Sequence, residues 1–266
     1  MNLVGPIRKT EDPVDTSPRI VPSETGQNTL ASRESQGTPD RPILLSIVIP
    51  TWDASELTAT TLKQLVHDGV PVWAEIIVVD DGSDDDTTGK IRERFPQVLV
   101  LRHERNRGFG AAVNTGFSSA TGRYLGTVNN DVLVTWKCLE RLVRFVEDQA
   151  DGGAVAPLIV DSSGISRRVG FDFTRTPWKL FTRRLSRRLA GGQRPITTSV
   201  APYAAEHLRG ACVVFKRAAL EAVGLFDEQY HMFAEEIDLF RRLSRGGWTA
   251  WVLPSERATH SEGQTL

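Results

Sequence analysis

The sequence predicts an α/β fold around a mainly parallel central sheet, and three observations predict it. Short apolar runs rich in β-branched residues recur at 43–50, 75–79, 98–101 and 124–128. Segments of helical periodicity separate them, and a β-α-β-α-β order specifies parallel strands with right-handed crossovers. Three of the runs stop abruptly in short polar residues: Pro50-Thr51-Trp52-Asp53, Asp80-Asp81-Gly82-Ser83 and Asn129-Asn130-Asp131. Such residues fall at the carboxyl edge of the sheet, where open α/β folds bind ligands.

The first run, Ile43 to Pro50, is continuous rather than alternating, the pattern of a strand buried on both faces. Leu57, Leu62, Leu65 and Val66 then mark a helix over 55–66. After the second run, Asp84-Asp85-Asp86-Thr87 places carboxylates at the positive end of a helix over 88–95. The third run leads into Arg105-Asn106-Arg107-Gly108-Phe109-Gly110-Ala111-Ala112-Val113-Asn114-Thr115-Gly116. Its glycines either let backbone approach a ligand at a helix N-terminus or let a small-residue helix pack tightly on the sheet. A dinucleotide fingerprint is excluded, because Val113 takes the third glycine position and the segment follows the third strand.

The fourth run ends in Asn129-Asn130-Asp131. A carboxylate there can hold a divalent cation, and Asn130 can hydrogen-bond a sugar or phosphate; a plain turn is the competing reading. A helix is expected over 138–149, a strand over 154–160 and loop over 161–200. Inside that loop Trp178, Phe181, Leu185 and Leu189 recur at helical spacing beside five basic residues. Such a segment, 178–194, can lie on an anionic membrane, grip a pyrophosphate or serve as an ordinary surface helix. Residues 207–215 read as a strand that brings Gly210 near a ligand, followed by a helix over 216–223 capped by Gly224. Glu235, Glu236 and Asp238 open a further helix whose inner face is Ile237, Phe240 and Leu243. Acids there either complement the helix dipole or include a general base. A short strand over 249–254 follows, and then His260.

Composition bounds the function. The 266 residues are 40% hydrophobic and 24% charged, ordinary for a chain that buries a core, and a net charge of −1 gives no field to recruit nucleic acid. The two cysteines, Cys138 and Cys212, suit a reducing compartment and lack metal-type spacing. The N-terminus has no signal-like apolar core, and no apolar run reaches the ~18 residues of a spanning helix. These features predict a cytoplasmic protein able to touch the inner face of the plasma membrane. Residues 1–41 are rich in Pro, Ser, Thr, Gly, Asp and Glu and predict a disordered tail.

Together these residues resemble the inverting nucleotide-sugar glycosyltransferases of family 2. The likeness covers 45–263 and rests on five landmarks in order: Val48-Ile49-Pro50-Thr51, Val79-Asp80-Asp81-Gly82-Ser83, Asn106-Arg107-Gly108-Phe109-Gly110 with Asn114 and Gly116, Asn129-Asn130-Asp131, and Glu235-Glu236-Ile237-Asp238-Leu239 followed by His260 and Gly263. The glycine-rich landmark looks most like the rhamnosyltransferase-like branch. The resemblance implies a GT-A fold over 42–266, with a nucleotide-binding half (42–131) and an acceptor and catalytic half (132–266). It implies a role in polysaccharide biosynthesis, a dTDP-rhamnose or UDP-sugar donor, and a glycan, lipid-linked or small-molecule acceptor.

Position by position, Pro50, Thr51 and Asp81 match residues that meet the nucleotide. Asn106, Gly108 and Asn114 match a loop beside nucleotide and sugar. Asn129, Asn130 and Asp131 match the D-x-D-type motif, with Asp131 and His260 holding Mg²⁺ or Mn²⁺. Glu236 matches the base, with Glu235 and Asp238 supporting it either by orienting it or by binding the acceptor, and Gly210 and Trp178 fall on the acceptor side. Asn129 and Asn130 stand where the family usually carries an acid, and one fewer negative charge weakens a cation site. Two rival readings follow. A nucleotide-sugar-binding protein without catalysis is motivated by the Asn-Asn-Asp motif. A nucleotidyltransferase is disfavoured, since Pro50-Thr51-Trp52-Asp53 is not a Gly- and Lys/Arg-rich loop.

Overall fold

Seven residues, Leu45–Thr51, form strand β1, and all but Pro50 are buried. In the computed structural model, which describes residues 42–167, 169–171, 201–230 and 234–260, β1 lies between two parallel neighbours. These are β2 (Ala74–Asp80) and β4 (Tyr124–Val128), and β3 (Leu99–Arg102) pairs parallel with β2 on the outside. Pro50, which has no amide hydrogen, falls past the last β1–β4 pair, Val48 with Thr127. Helices α1 (Ser55–Val66), α2 (Thr87–Arg94) and α3 (Phe109–Ser119) make the crossovers. The tail over 1–41, Trp178 and the basic segment 178–194 lie outside the described residues.

Within α3, Gly116 serves packing. A Cβ on Gly116 would come within 2.4 Å of the Val48 side chain, so only glycine lets the helix sit this close to β1. Gly108, immediately before α3, has φ 93°, a conformation that other residues rarely adopt.

The second half makes the sheet mixed. α4 (Trp136–Asp148) starts two residues earlier than expected because the Thr135 hydroxyl accepts from the Cys138 amide as an N-cap. It buries Cys138, Leu139, Leu142, Val143 and Val146, one stripe of a helix. β6 (Gly152–Val160) is buried along its whole length. The expected loop from 161 contains two short strands, β7 (Ser166–Arg167) and β8 (Gly170–Phe171). β7 turns back on β6, and β8 pairs with β10 (His207–Leu208), neither long enough to show an apolar pattern. The strand expected over 207–215 is therefore two, β10 and β11 (Cys212–Lys216), with a turn between them.

β11 runs antiparallel to both β4 and β6. α5 (Arg217–Val223) and α6 (Glu235–Arg245) follow, and α6 buries Leu239, Phe240 and Leu243, with Ile237 only partly covered. The final strand, β12 (Thr249–His260), is twice as long as expected because a register shift between Leu253 and Arg257 lets it continue past Pro254. It is parallel to β6, and its end pairs with β5 (Val132–Leu133), while β9 (Tyr203–Ala205) lies on its other side. The main path is β3-β2-β1-β4-β11-β6-β12-β5. Among the described residues, no helix is long and apolar enough to cross a membrane.

Candidate active site

Parallel β1, β2 and β4 deliver their polar ends to one edge of the sheet. β11 starts at that edge because it is antiparallel to β4, with Cys212 opposite Val128. The turn before it therefore lies against the Asn129 motif, and the Asn129 amide donates to the Ala211 carbonyl at 2.9 Å. The Thr127 hydroxyl adds a 3.4 Å bond to the Gly210 carbonyl. Gly210 in turn faces the start of α6: a Cβ on it would lie 2.8 Å from Glu236 Oε2. At the far side of the motif, Asp131 Oδ2 is 3.0 Å from His260 Nε2. Glu236, Gly210, the 129–131 turn and His260 thus form one continuous line along the edge.

Glu236 is half-buried, and its pKa is raised to about 7. Burial is the largest cause, and the charge of neighbouring Glu235 adds to it. The Gly210 backbone bond and the Arg209 charge pull the other way. Glu235 is buried and its Oε2 accepts from the Ala234 amide at 2.8 Å. Asp238 is not part of this group. Its Oδ2 accepts from Arg242 Nε at 2.7 Å, and the same guanidinium donates to the carbonyls of Val223, Gly224 and Leu225. Asp238 thereby anchors α6 to the end of α5 and gives Glu236 no direct hydrogen bond among the described residues.

Asn114 also has a framework task. Its amide nitrogen donates to Phe226 O at 2.8 Å and to Glu228 Oε1 at 3.0 Å, and its Oδ1 accepts from the Phe226 amide at 3.0 Å. Both ends are engaged by the 226–228 loop, so Asn114 ties α3 to that loop. Arg107 closes the same loop through a 2.7 Å ion pair with Glu228.

Asp81 is buried and organises the glycine-rich loop. Oδ1 accepts from His103 Nδ1 at 2.6 Å and Arg107 N at 2.9 Å, and Oδ2 accepts from Gly108 N at 2.8 Å. A carboxylate offers about four acceptor positions, so among the described residues one remains on Oδ2. Asn106 folds over the same turn, its Oδ1 accepting from Gly108 N at 3.1 Å. Thr51 is buried, its hydroxyl 2.7 Å from that of Thr58, and Asn130 Nδ2 donates to it at 3.3 Å. Thr61 bonds the Asn130 carbonyl at 2.7 Å, so this turn is held from the α1 side as well. Asn129 presents a buried Oδ1 that has no hydrogen-bond partner among the described residues.

Residues beyond the expected set also shape this edge. Asp53 sits at φ 46°, and its carboxylate accepts from the Asp84 amide at 2.7 Å, tying the β1–α1 loop to the β2–α2 loop. That strained link holds Trp52 with 47% of its surface exposed beside the β1 end. An isolated Trp in a turn carries no sequence signal for this role. Asp80, fully buried, accepts from Ser83 N, Thr88 Oγ1 and Arg102, and so is framework.

The residues that could hold a cation are Asp131 and His260, 7% and 15% exposed at their side chains. His260 Nδ1 is buried without a hydrogen-bond partner among the described residues. Among those residues no third His, Cys, Asp or Glu joins the pair. One carboxylate and one imidazole fit a Mg²⁺- or Mn²⁺-type ion that takes its remaining ligands from phosphate oxygens and water.

The model of the glycosyl transferase family 2 matches residues 46–224. The chain belongs to this family. Across 218 residues it is 26% identical to the N-acetylglucosaminyl-diphospho-decaprenol L-rhamnosyltransferase of Mycobacterium tuberculosis, covering 71% of this chain and 67% of that protein. Its fold is similar to that of GalNAc-T7 with UDP, GalNAc and Mn²⁺ (TM-score 0.62, 20% identity, 84% of this chain and 44% of that one). It is also similar to a mannosyltransferase of Pyrobaculum calidifontis in complex with GDP-Man and Mn²⁺ (TM-score 0.60, 19% identity, 89% of this chain and 64% of that one). The chain therefore has the GT-A fold and spans less than two thirds of either solved neighbour. Four of the five landmarks read from the sequence lie within the matched span, and the fifth, from Glu235, lies beyond its end.

Proposed function

We propose that this glycosyltransferase moves a sugar from a nucleoside-diphosphate donor to an acceptor hydroxyl in one inverting displacement. The observation that carries this reading is Glu236, a half-buried carboxylate with a pKa near 7, on the same sheet edge as Asp131 and His260. Glu236 takes the proton of the acceptor hydroxyl. The acceptor oxygen forms its bond to the anomeric carbon as the bond to the diphosphate breaks, and the electron pair leaves on the diphosphate. A group with a pKa near the working pH is suited to this transfer. Asp131 and His260 would hold Mg²⁺ or Mn²⁺, which when bound supplies positive charge against the departing diphosphate. The turn at 129–131 and the loop at 106–108 line the donor side, and Gly210 leaves room on the acceptor side. Trp52 offers an exposed aromatic face to the base.

The relative from Mycobacterium tuberculosis supports a rhamnosyl donor and a lipid-linked diphosphate acceptor; a UDP-sugar donor and another glycan or small-molecule acceptor fit the same edge. The test is a thermal-shift panel of nucleoside diphosphates and their sugars, with and without Mn²⁺, followed by transfer assays on the sugar that stabilises most. Binding together with transfer that is lost in Glu236→Gln supports the reading. Binding without transfer or donor hydrolysis points instead to a catalytically inactive nucleotide-sugar binder, and no binding at all overturns both.

A further inference from the structure

His103 is a buried imidazole to which the proposed reaction assigns no task. It follows β3, and its backbone amide donates to the Asp80 carbonyl at 2.8 Å. Its side chain and that of Asp81 are each 6% exposed. Nδ1 lies 2.6 Å from Asp81 Oδ1, and Nε2 lies 2.8 Å from the Thr115 hydroxyl on α3. An ionised carboxylate only accepts, so Nδ1 carries the proton of the pair. In the neutral ring Nε2 then accepts from Thr115, and every polar atom of the imidazole is used.

The consequence lies one residue further on. The Arg107 and Gly108 amides take two of the remaining acceptor positions of Asp81. The carboxylate is therefore held from three directions, and its one open position on Oδ2 has a fixed aim. Without His103 the Asp81 carboxylate would keep only the Arg107 and Gly108 amides and lose its one side-chain donor, which loosens its aim. We propose that His103 is a positioning residue for the donor nucleotide. It holds Asp81 so that the open acceptor faces a ring N–H of the base, and Thr115 braces it from behind. The bases this suits are those with a ring N–H on the pairing edge: uracil, thymine and guanine. Adenine and cytosine present a bare nitrogen acceptor there, which a carboxylate repels.

This inference rests on the proposed donor class, and its test separates the two. Dissociation constants for UDP, dTDP, GDP, CDP and ADP are measured by calorimetry with Mn²⁺ present, on the wild type and on His103→Leu, His103→Asn and Thr115→Val. The wild type is expected to prefer one of UDP, dTDP or GDP. His103→Leu, which keeps volume and removes both contacts, is expected to weaken that nucleotide at least tenfold. It should raise the KM for the donor in parallel and leave kcat at saturating donor within about threefold. His103→Asn, which returns an N–H near the Nδ1 position, is expected to restore most of the affinity. Thr115→Val should fall between wild type and His103→Leu. If His103→Leu does not fold, the order wild type, Thr115→Val, His103→Asn against the non-preferred nucleotides carries the test. Equal affinity in wild type and in every folded His103 variant overturns the inference alone. A loss confined to kcat, or a wild type that prefers ADP or CDP, also overturns it. A wild type that binds no nucleoside diphosphate overturns the proposed function and this inference with it.

Discussion

Glu236 Oε2 stands 2.8 Å from the position that a Cβ on Gly210 would occupy. The colliding atom is the end of a flexible side chain, so Gly210→Ala should cost little folding energy, under about 1 kcal/mol. It should displace the carboxylate, and a shift of about 1 Å at a reacting group costs on the order of 100-fold. The expected result is a near-wild-type Tm with transfer reduced roughly 10- to 100-fold. A variant with full activity would show that Glu236 need not occupy this position.

The pKa of Glu236 sets two pH dependences of opposite sign. The base must be ionised, so kcat/KM should rise with pH and level off above about 7. Glu236→Gln should abolish that limb and lower transfer by roughly 100- to 10,000-fold while donor binding persists. Folding stability moves the other way. The folded pKa is raised above the unfolded value of 4.5, so the folded state holds the proton more tightly between 4.5 and about 7. Stability from this group is full below pH 4.5 and is lost as pH rises through about 7. Glu236→Gln should therefore gain relative to wild type at pH 8 and not at pH 4, by on the order of 1–3 kcal/mol. Chemical denaturation of both proteins at the two pH values checks this.

Asn114 tests the boundary between framework and site. Asn114→Asp keeps the shape, removes two donors and brings a second carboxylate against Glu228. A loss of roughly 2–4 kcal/mol is expected, from one buried acceptor left unpaired and one like-charge contact. Asn114→Asp with Glu228→Gln together should recover part of that loss, read as a rise in Tm over the single variant. An unchanged Tm for Asn114→Asp would return Asn114 to the sugar-binding set.

Much of this was readable from the chain itself. β1, β2, β4 and β6 were, because strands buried on both faces must be continuously apolar. The edge carrying Asp131 followed from where those runs stop, whereas Glu236, on a helix, was tied to it only by the family resemblance. The reversed direction of β11 was not readable, since an apolar strand looks the same whichever way it pairs. Nor were the tasks of Asn114 and Asp238. Asn114 meets Phe226 across 112 residues of sequence, and nothing local distinguishes an amide that grips backbone from one that grips sugar. His103 carried no pattern at all, because a single imidazole gains its meaning from Asp81 and Thr115.

The cation pair gives a further expectation. Asp131→Ala and His260→Ala should each raise the Mn²⁺ concentration for half-maximal transfer by at least about tenfold, the scale already seen when only a supporting partner of a ligand is lost. Chelation should stop transfer, and added Mn²⁺ should restore it. A chelator-treated protein that still transfers at the original rate would remove the cation from the reaction and leave Asp131 and His260 as a structural pair.

His260 follows Asp131 by 129 positions and reaches it on the last described strand. At the ribosome's ~5–20 residues per second, that interval is roughly 6–26 s. During it a nascent chain can already have the parallel strands that lead to the 129–131 turn, yet only one member of the Asp131–His260 pair. Synthesis thus fixes an order of assembly: the contact between these two side chains closes only when the final described strand is in place.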